Sequence, residues 1–171
     1  ASTALAPDGT TWVAWIQSAT TGSGTADTVR VAQRDAEGSW HAPVEIARRD
    51  RSAGAATIGL RGAVLALDAT GQPHVAWADG PGPSPVRSSS RGTDGTWSLP
   101  TARGTASNGA DGGTDPSIVT HPLADGRVAV AWHDDATLQV ALIGADGTWG
   151  STETASDDVT ADDGFDLDLA S

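Results

Sequence analysis

Hydrophobic and polar positions alternate with a period of two in three short stretches, Val13-Ala14-Trp15, Val75-Ala76-Trp77 and Val130-Ala131-Trp132. That period belongs to a β-strand, whose successive side chains point to opposite faces. Val and Trp therefore share one face, and Ala14, Ala76 and Ala131 share the other. A sheet that is large on one side and small on the other suits close stacking of sheets. No segment sustains a helical period, so an all-β chain is expected.

The three stretches sit at equivalent places in a longer repeat. Each follows a Gly turn, at Asp8-Gly9, Thr70-Gly71 and Asp125-Gly126. Each is followed by a second half: Val29-Arg30 to Glu37-Gly38-Ser39-Trp40, Val86-Arg87 to Asp94-Gly95-Thr96-Trp97, and Leu138-Gln139 to Asp146-Gly147-Thr148-Trp149. Six of the seven Trp thus occupy two repeated positions, at intervals of roughly 50 to 60 residues, near the range of propeller repeats. The seventh, Trp12, reads as local packing. The Asp-Gly pairs supply the positive φ that two-residue hairpins need, with Glu37-Gly38 and Thr70-Gly71 as weaker versions.

Each repeat is expected to be a four-stranded antiparallel meander, with repeats at about 1–47, 63–102 and 118–154. In the middle one the strands fall at about 64–68, 73–78, 85–90 and 97–102. Sheets covered on both faces by their neighbours are the blades of a β-propeller, which is the expected fold class; a β-sandwich is the runner-up. Three blades do not close a ring, since propellers carry about four to eight. The segment Phe165 to Ser171 aligns with Ala63 to Ala69, as the first strand of a fourth blade. The chain is accordingly expected to be part of a larger propeller or half of a six-bladed dimer.

Composition narrows the function classes. Ten basic residues, all Arg, stand against 22 acidic ones for a net charge of −12. That balance opposes nucleic-acid backbones and adsorption to anionic membranes. Cys is absent, so disulfides and thiolate metal sites are excluded. The longest apolar run, Val128 to Trp132, is far too short to span a bilayer as a helix. Loss of Lys, Met, Cys and Tyr beside abundant Ala, Gly, Asp, Thr and Arg fits a GC-rich actinobacterial genome. With Ala1 in first place and no signal-peptide pattern, the chain reads as a processed or excised segment.

Chemistry is expected at one end of the meanders. The turns between strands 1 and 2, and 3 and 4, are short and uniform, whereas the other connections are long and varied: 18–28, 80–84 and 134–137, then 48–62, 103–116 and 155–164. Varied loops on a rigid scaffold are where recognition concentrates. Two residues beyond Trp15, Trp77 and Trp132 come Gln17, Asp79 and Asp134, with Arg30, Arg87 and Gln139 near the start of the neighbouring strand. A polar pair beside an indole is suited to a sugar, hydroxyls to the pair and the C–H face to the ring. The plainer reading makes Asp79 and Arg87 a cross-strand ion pair and the Trp core wedges.

His133, beside Asp134 and Asp135, joins this rim; it reads as a loop His with solvated acids, a metal or acid–base centre being the sharper alternative. Arg48, Arg49 and Arg51 read as a solvated basic loop. No cofactor is required. The acids Asp157, Asp158, Asp162, Asp163, Asp166 and Asp168 offer oxygen ligands to Ca²⁺, but without EF-hand spacing, so a charged loop is the reading taken.

The sequence from Val75 to Trp77 and from Val86 to Pro100 resembles the propeller repeats of secreted bacterial proteins, actinobacterial ones especially, grouped with sialidase-like or Asp-box propellers. Of the Asp-box itself only Asp94-Gly95-Thr96-Trp97, Asp146-Gly147-Thr148-Trp149 and Glu37-Gly38-Ser39-Trp40 match. The resemblance implies a β-propeller and, for a sialidase, a Tyr nucleophile, which this chain lacks. The expected function is therefore a non-catalytic, extracellular, lectin-like module, the targeting part of a secreted enzyme or toxin. The expected partners are cell-surface glycans, together with further blades or a second copy. A partial glycoside-hydrolase propeller and a protein-binding scaffold are the alternatives.

Overall fold

The computed structural model describes residues 1–53, 59–80, 83–107, 118–134 and 137–156. Among these residues there are twelve strands and no helix. β1 (Ser2–Leu5), β2 (Thr11–Thr21), β3 (Gly24–Arg34) and β4 (Val44–Ser52) form the first sheet. β5 (Leu60–Leu67), β6 (Pro73–Asp79), β7 (Ser84–Ser90) and β8 (Thr101–Ala106) form the second. β9 (Ile118–Pro122), β10 (Val128–Asp134), β11 (Thr137–Ile143) and β12 (Trp149–Ser156) form the third. Every sheet is antiparallel and keeps its strands in chain order, so each repeat is one meander. The strand expected at 165–171 lies outside the described residues.

Two Pro residues move the start of the fourth strand. It was expected to open at the repeated Trp, yet Trp40 and Trp97 make only isolated bridges, to Arg34 and Arg91, and β4 and β8 begin after Pro43 and Pro100. Pro has no N–H to give to a ladder. The third sheet has no Pro there, and β12 runs from Trp149 itself. The strands also reach further than the repeat limits, to Ser52, Ala106 and Ser156, because their polar ends do not alternate.

All six short turns share one geometry, and it is not the two-residue hairpin. Over five residues the first N–H donates to the fifth carbonyl and the fourth N–H to the first carbonyl, as in Gly92 to Thr96 at 2.8 Å and Gly95 to Gly92 at 2.9 Å. The fourth residue is always Gly at positive φ, from 76° at Gly147 to 97° at Gly38. This is a three-residue loop, a type I turn closed by a Gly bulge. An Asp carboxylate fixes it. Asp8, Asp94, Asp125 and Asp146 at the third position accept from the fifth N–H at 2.8 to 3.1 Å. The two weaker matches carry Asp at the first position instead, and Asp35 and Asp68 accept from the same N–H, of Ser39 at 2.7 Å and Gln72 at 2.9 Å.

The core lies between sheets. Each sheet has a front, carrying the Val and Trp of its second strand, and a back, carrying the Ala. Ala14, Val29 and Val31 on the back of the first sheet pack against Leu65, Val75 and Trp77 on the front of the second. Ala76, Ala78 and Val86 on the back of the second pack against Val128, Val130 and Trp132 on the front of the third. Trp77 and Trp132 are wholly buried wedges, and truncating such a residue to Ala costs about 3 to 5 kcal/mol. The first strands of successive sheets touch, with the Leu65 N–H donating to Ser2 Oγ at 3.0 Å.

Tryptophans outside the wedge position join sheets too. Trp12 meets Trp97 of the second sheet edge to face with centroids 6.4 Å apart, and the Arg91 guanidinium lies 5.3 Å from its ring centroid. Trp12 is thus an inter-sheet contact rather than local packing. Trp149 packs edge to face on Trp132 and donates its indole N–H to Ser88 of the second sheet at 2.6 Å.

Candidate functional site

Opposite the six turns, two of the expected loops are strand. β2 and β3 pair all the way to Thr21 and Gly24, so residues 18–28 form a long hairpin with its turn at Gly22-Ser23. The Arg cluster is likewise not a solvated loop: Arg48, Arg49 and Arg51 lie on β4, paired with Thr28, Asp27 and Thr25 of β3. Arg51 donates to the buried Asp27 carboxylate at 2.6 Å, which also accepts from Ser18 Oγ at 2.5 Å. Burial pushes the Asp27 carboxyl up, but its hydrogen bonds to Arg51 and Ser18 and the charges of Arg51 and Arg49 hold it below the usual carboxylate range.

The register places the rim residues as the repeat demands. Trp15 faces Arg30, Trp77 faces Arg87, and Trp132 faces Gln139 across each strand pair. In all three sheets the fourth strand slips by one residue beside that position, between Val29 and Arg30, Val86 and Arg87, and Leu138 and Gln139. Such a bulge twists the strand and re-aims its side chains, and it carries no sequence signal.

Asp79 joins two sheets. Arg87 Nε donates to Oδ2 at 2.7 Å, and Arg49 Nη1 of the first sheet donates to Oδ1 at 2.6 Å. Asp134 repeats the pattern with neutral donors, accepting from Thr105 Oγ1 of β8 at 3.0 Å and from Ser107 Oγ, just past its end, at 3.3 Å. Gln139 turns to its own sheet, donating to Thr137 Oγ1 at 2.9 Å and Thr154 Oγ1 at 3.1 Å. Gln17 is exposed and Arg30 half-buried.

Two of these clusters line cavities. One of about 360 Å³ lies where the first and second sheets meet, bordered by Arg48, Leu60, Trp77, Asp79, Arg87, Leu99 and Pro100. That volume is at the lower end for small-molecule sites, about 300 to 1,000 Å³. A smaller one of about 120 Å³ is lined by Gln17, Thr28, Arg30, Glu45 and Arg48. Arg48 therefore borders both. Its guanidinium is half exposed and pairs with Asp50 at 3.0 Å and Glu45 at 3.9 Å.

The Trp do not all serve as expected of a sugar platform. Trp77 and Trp132 show no surface to solvent, which leaves them no ring face for a ligand, and their indole nitrogens have no hydrogen-bond partner. Trp15 is half-buried. The exposed apolar surface beside the larger cavity comes from Leu99, 86% exposed. Sequence reasoning missed Leu99, Pro100 and Arg48 as site residues; the one signal, an Arg-rich stretch, read as a loop because its strand does not alternate.

Two histidines are structural. His133 is not in a loop: it lies in β10, is buried, and accepts through its carbonyl from the Ser107 N–H at 2.9 Å. His74 Nδ1 is 2.7 Å from Ser90 Oγ and its Nε2 is 3.2 Å from Asp68 Oδ2. Although this is a Ser-His-Asp relay, all three residues are buried and the other Asp68 oxygen holds a turn, so no substrate reaches it. Burial pushes His74 below the ordinary imidazole range despite Asp68. The acidic run from Asp157 to Asp168, and Asp135, lie outside the described residues.

No protein-family model matches the chain, and no curated protein matches it, so the functional reading rests on the sheets and cavities themselves.

Proposed function

We propose that the chain is a segment of a secreted β-propeller that binds carbohydrate without turning it over. One observation carries the reading: the polar pairs that the repeat singles out, Gln17 with Arg30 and Asp79 with Arg87, each line a cavity, and Arg48 borders both. Guanidinium donors, carboxylate acceptors and a non-polar Leu99-Pro100 wall in one groove meet the mixed hydroxyl and C–H surface of a sugar. The two cavities open on opposite faces of the first sheet and share Arg48 of its edge strand, so each is read as a separate subsite for a sugar residue. Three four-stranded meanders packed front to back, with their first strands touching, support the propeller reading. The Asp-box resemblance supports secretion.

The test is a glycan array probed with the chain and with Arg48→Ala and Leu99→Ala, with polysaccharide hydrolysis products assayed alongside. Both side chains are exposed enough for the fold to survive. Binding that weakens at least several-fold in both variants, without product, is the expected result. Turnover would move the chain to the glycoside hydrolases. Absence of binding, or binding indifferent to both substitutions, would overturn the reading and favour a protein-binding scaffold.

A further inference from the structure

A cavity of about 370 Å³ lies at the other end of the junction between the first and second sheets, beside their short turns. It is bordered by Asp8 and Thr10 of the first turn, Trp12 of β2, Gln33 of β3, Gln72 of the next sheet's turn and Arg91 just past β7. None of these residues belongs to the carbohydrate rim, and Arg48 and Leu99 line a different cavity.

The matching place between the second and third sheets is filled. Strand register equates Trp12 and Gln33 of the first sheet with His74 and Ser90 of the second, and Arg91 of the second with Ile143 of the third. His74, Ser90 and Ile143 are at most 5% exposed, and His74 is satisfied by Ser90 at 2.7 Å and Asp68 at 3.2 Å. At the first junction Ala6 stands where Asp68 does, so that position supplies no acid. Arg91 and Gln33 are half-buried instead. The departure from the repeat exchanges a sealed contact for a polar opening.

Arg91 is held in place without being neutralised. Its guanidinium stacks over the Trp12 ring, and Nη1 donates to Gln72 Oε1 at 3.4 Å, but it forms no ion pair among the described residues. A stacked guanidinium keeps its edge N–H groups for a ligand, and their fork matches a carboxylate. The Gln33 amide has no hydrogen-bond partner among the described residues. Asp8 is exposed, and its hydrogen bonds to Thr10 hold its carboxyl below the usual carboxylate range, so this wall of the cavity is negative. Asp94 senses the charge of Arg91 but does not line the cavity. One cation and one anion on the same lining oppose a dianion and suit a ligand that carries both signs. We propose that this cavity binds a small zwitterion of amino-acid type, its carboxylate on Arg91 and its ammonium on Asp8, with the Gln33 amide beside them. The volume is at the lower end for small-molecule sites, about 300 to 1,000 Å³, as a single small molecule requires.

The experiment is a titration of the chain with L-alanine, propionate and ethylamine, followed by nitrogen–proton correlation NMR at the Arg91 Nε–H and the side-chain amides of Gln33 and Gln72. Propionate lacks the ammonium of L-alanine, and ethylamine lacks its carboxylate. L-alanine is expected to shift these signals saturably, propionate to bind several-fold more weakly, and ethylamine to leave them in place. Arg91→Gln is expected to abolish the shifts at Gln33. Asp8→Asn keeps an oxygen for the Thr10 N–H and is expected to weaken L-alanine to the level of propionate while leaving propionate no weaker. Each variant is checked for fold by circular dichroism, and Gln33→Leu, read at Arg91, replaces Arg91→Gln if the latter does not fold. L-alanine that moves none of the signals, propionate that binds as tightly as L-alanine, or binding of L-alanine indifferent to Arg91→Gln or to Asp8→Asn each overturns the proposal.

Discussion

Gly104 and Trp132 touch so closely that the glycine has no room for a side chain: a Cβ would stand 2.6 Å from Cζ2 and 3.2 Å from Cε2 of the indole. The contact is a close approach between sheets, distinct from the positive-φ need of the turn glycines. Gly104→Ala is expected to destabilise the chain by about 1 to 3 kcal/mol through overpacking. Urea unfolding followed by Trp fluorescence measures it. An unchanged midpoint would mean that the third sheet does not sit on β8.

Arg49 and Asp79 belong to different sheets, so their coupling reports the junction directly. A double-mutant cycle on Arg49→Ala and Asp79→Ala is expected to give about 0.5 to 1 kcal/mol, since both groups keep some solvent. The same cycle on Arg87 and Asp79 reports only a contact within the second sheet. Additivity in the first cycle would place the two sheets apart.

The six turns accept Asp at either of two places. Asp35→Ala removes the acceptor for the Ser39 N–H and is expected to cost about 1 kcal/mol, or roughly 2 to 4 °C in Tm. Adding Glu37→Asp should restore most of that loss, because it rebuilds the arrangement at Asp94 and Asp146. Calorimetry of the three proteins checks it, and failure of the rescue would show that the places are not equivalent.

Acid should unfold the chain in two stages. His74 is held below its ordinary value of 6.5 by burial, so the unfolded state takes up its proton first and stability falls as pH drops below about 6.5. Asp27 and Asp68 are desolvated, yet their hydrogen bonds hold both below 3.8; their contribution is present above about 4 and is lost as pH falls through their folded values. A Tm profile from pH 8 to pH 3 reads both stages. His74→Gln removes the first while leaving the second.

The repeated Trp and the Ala between Val and Trp made the meanders readable, because a period of two and a recurring turn are local signals. The register of Trp77 on Arg87 followed from the same repeat. Where reasoning stopped, the cause was long-range. The β4 arginines look like a loop since strand residues held by acids, Arg49 by Asp79 of the second sheet and Arg51 by Asp27 of the neighbouring strand, need not alternate with apolar ones. The bulge beside Arg30, Arg87 and Gln139 needs no particular residue. Whether Trp77 was a platform or a wedge depended on what lay against it, and the neighbouring sheet is not encoded in its own strand.

The unlike faces of each sheet also make the chain unequal in how it tolerates shortening. Without residues 118–156, the second sheet would uncover Ala76, Ala78, Val86 and Ser88, a face of smaller side chains with Val86 as its one branched apolar group. Without residues 1–53, it would uncover Leu65, Val75 and Trp77 together, a contiguous greasy patch of the kind that drives aggregation. During synthesis the small face of each sheet emerges first and waits for the indole of the next, so the growing chain never has to hold a wedge tryptophan of the second or third sheet in water without its seat already made.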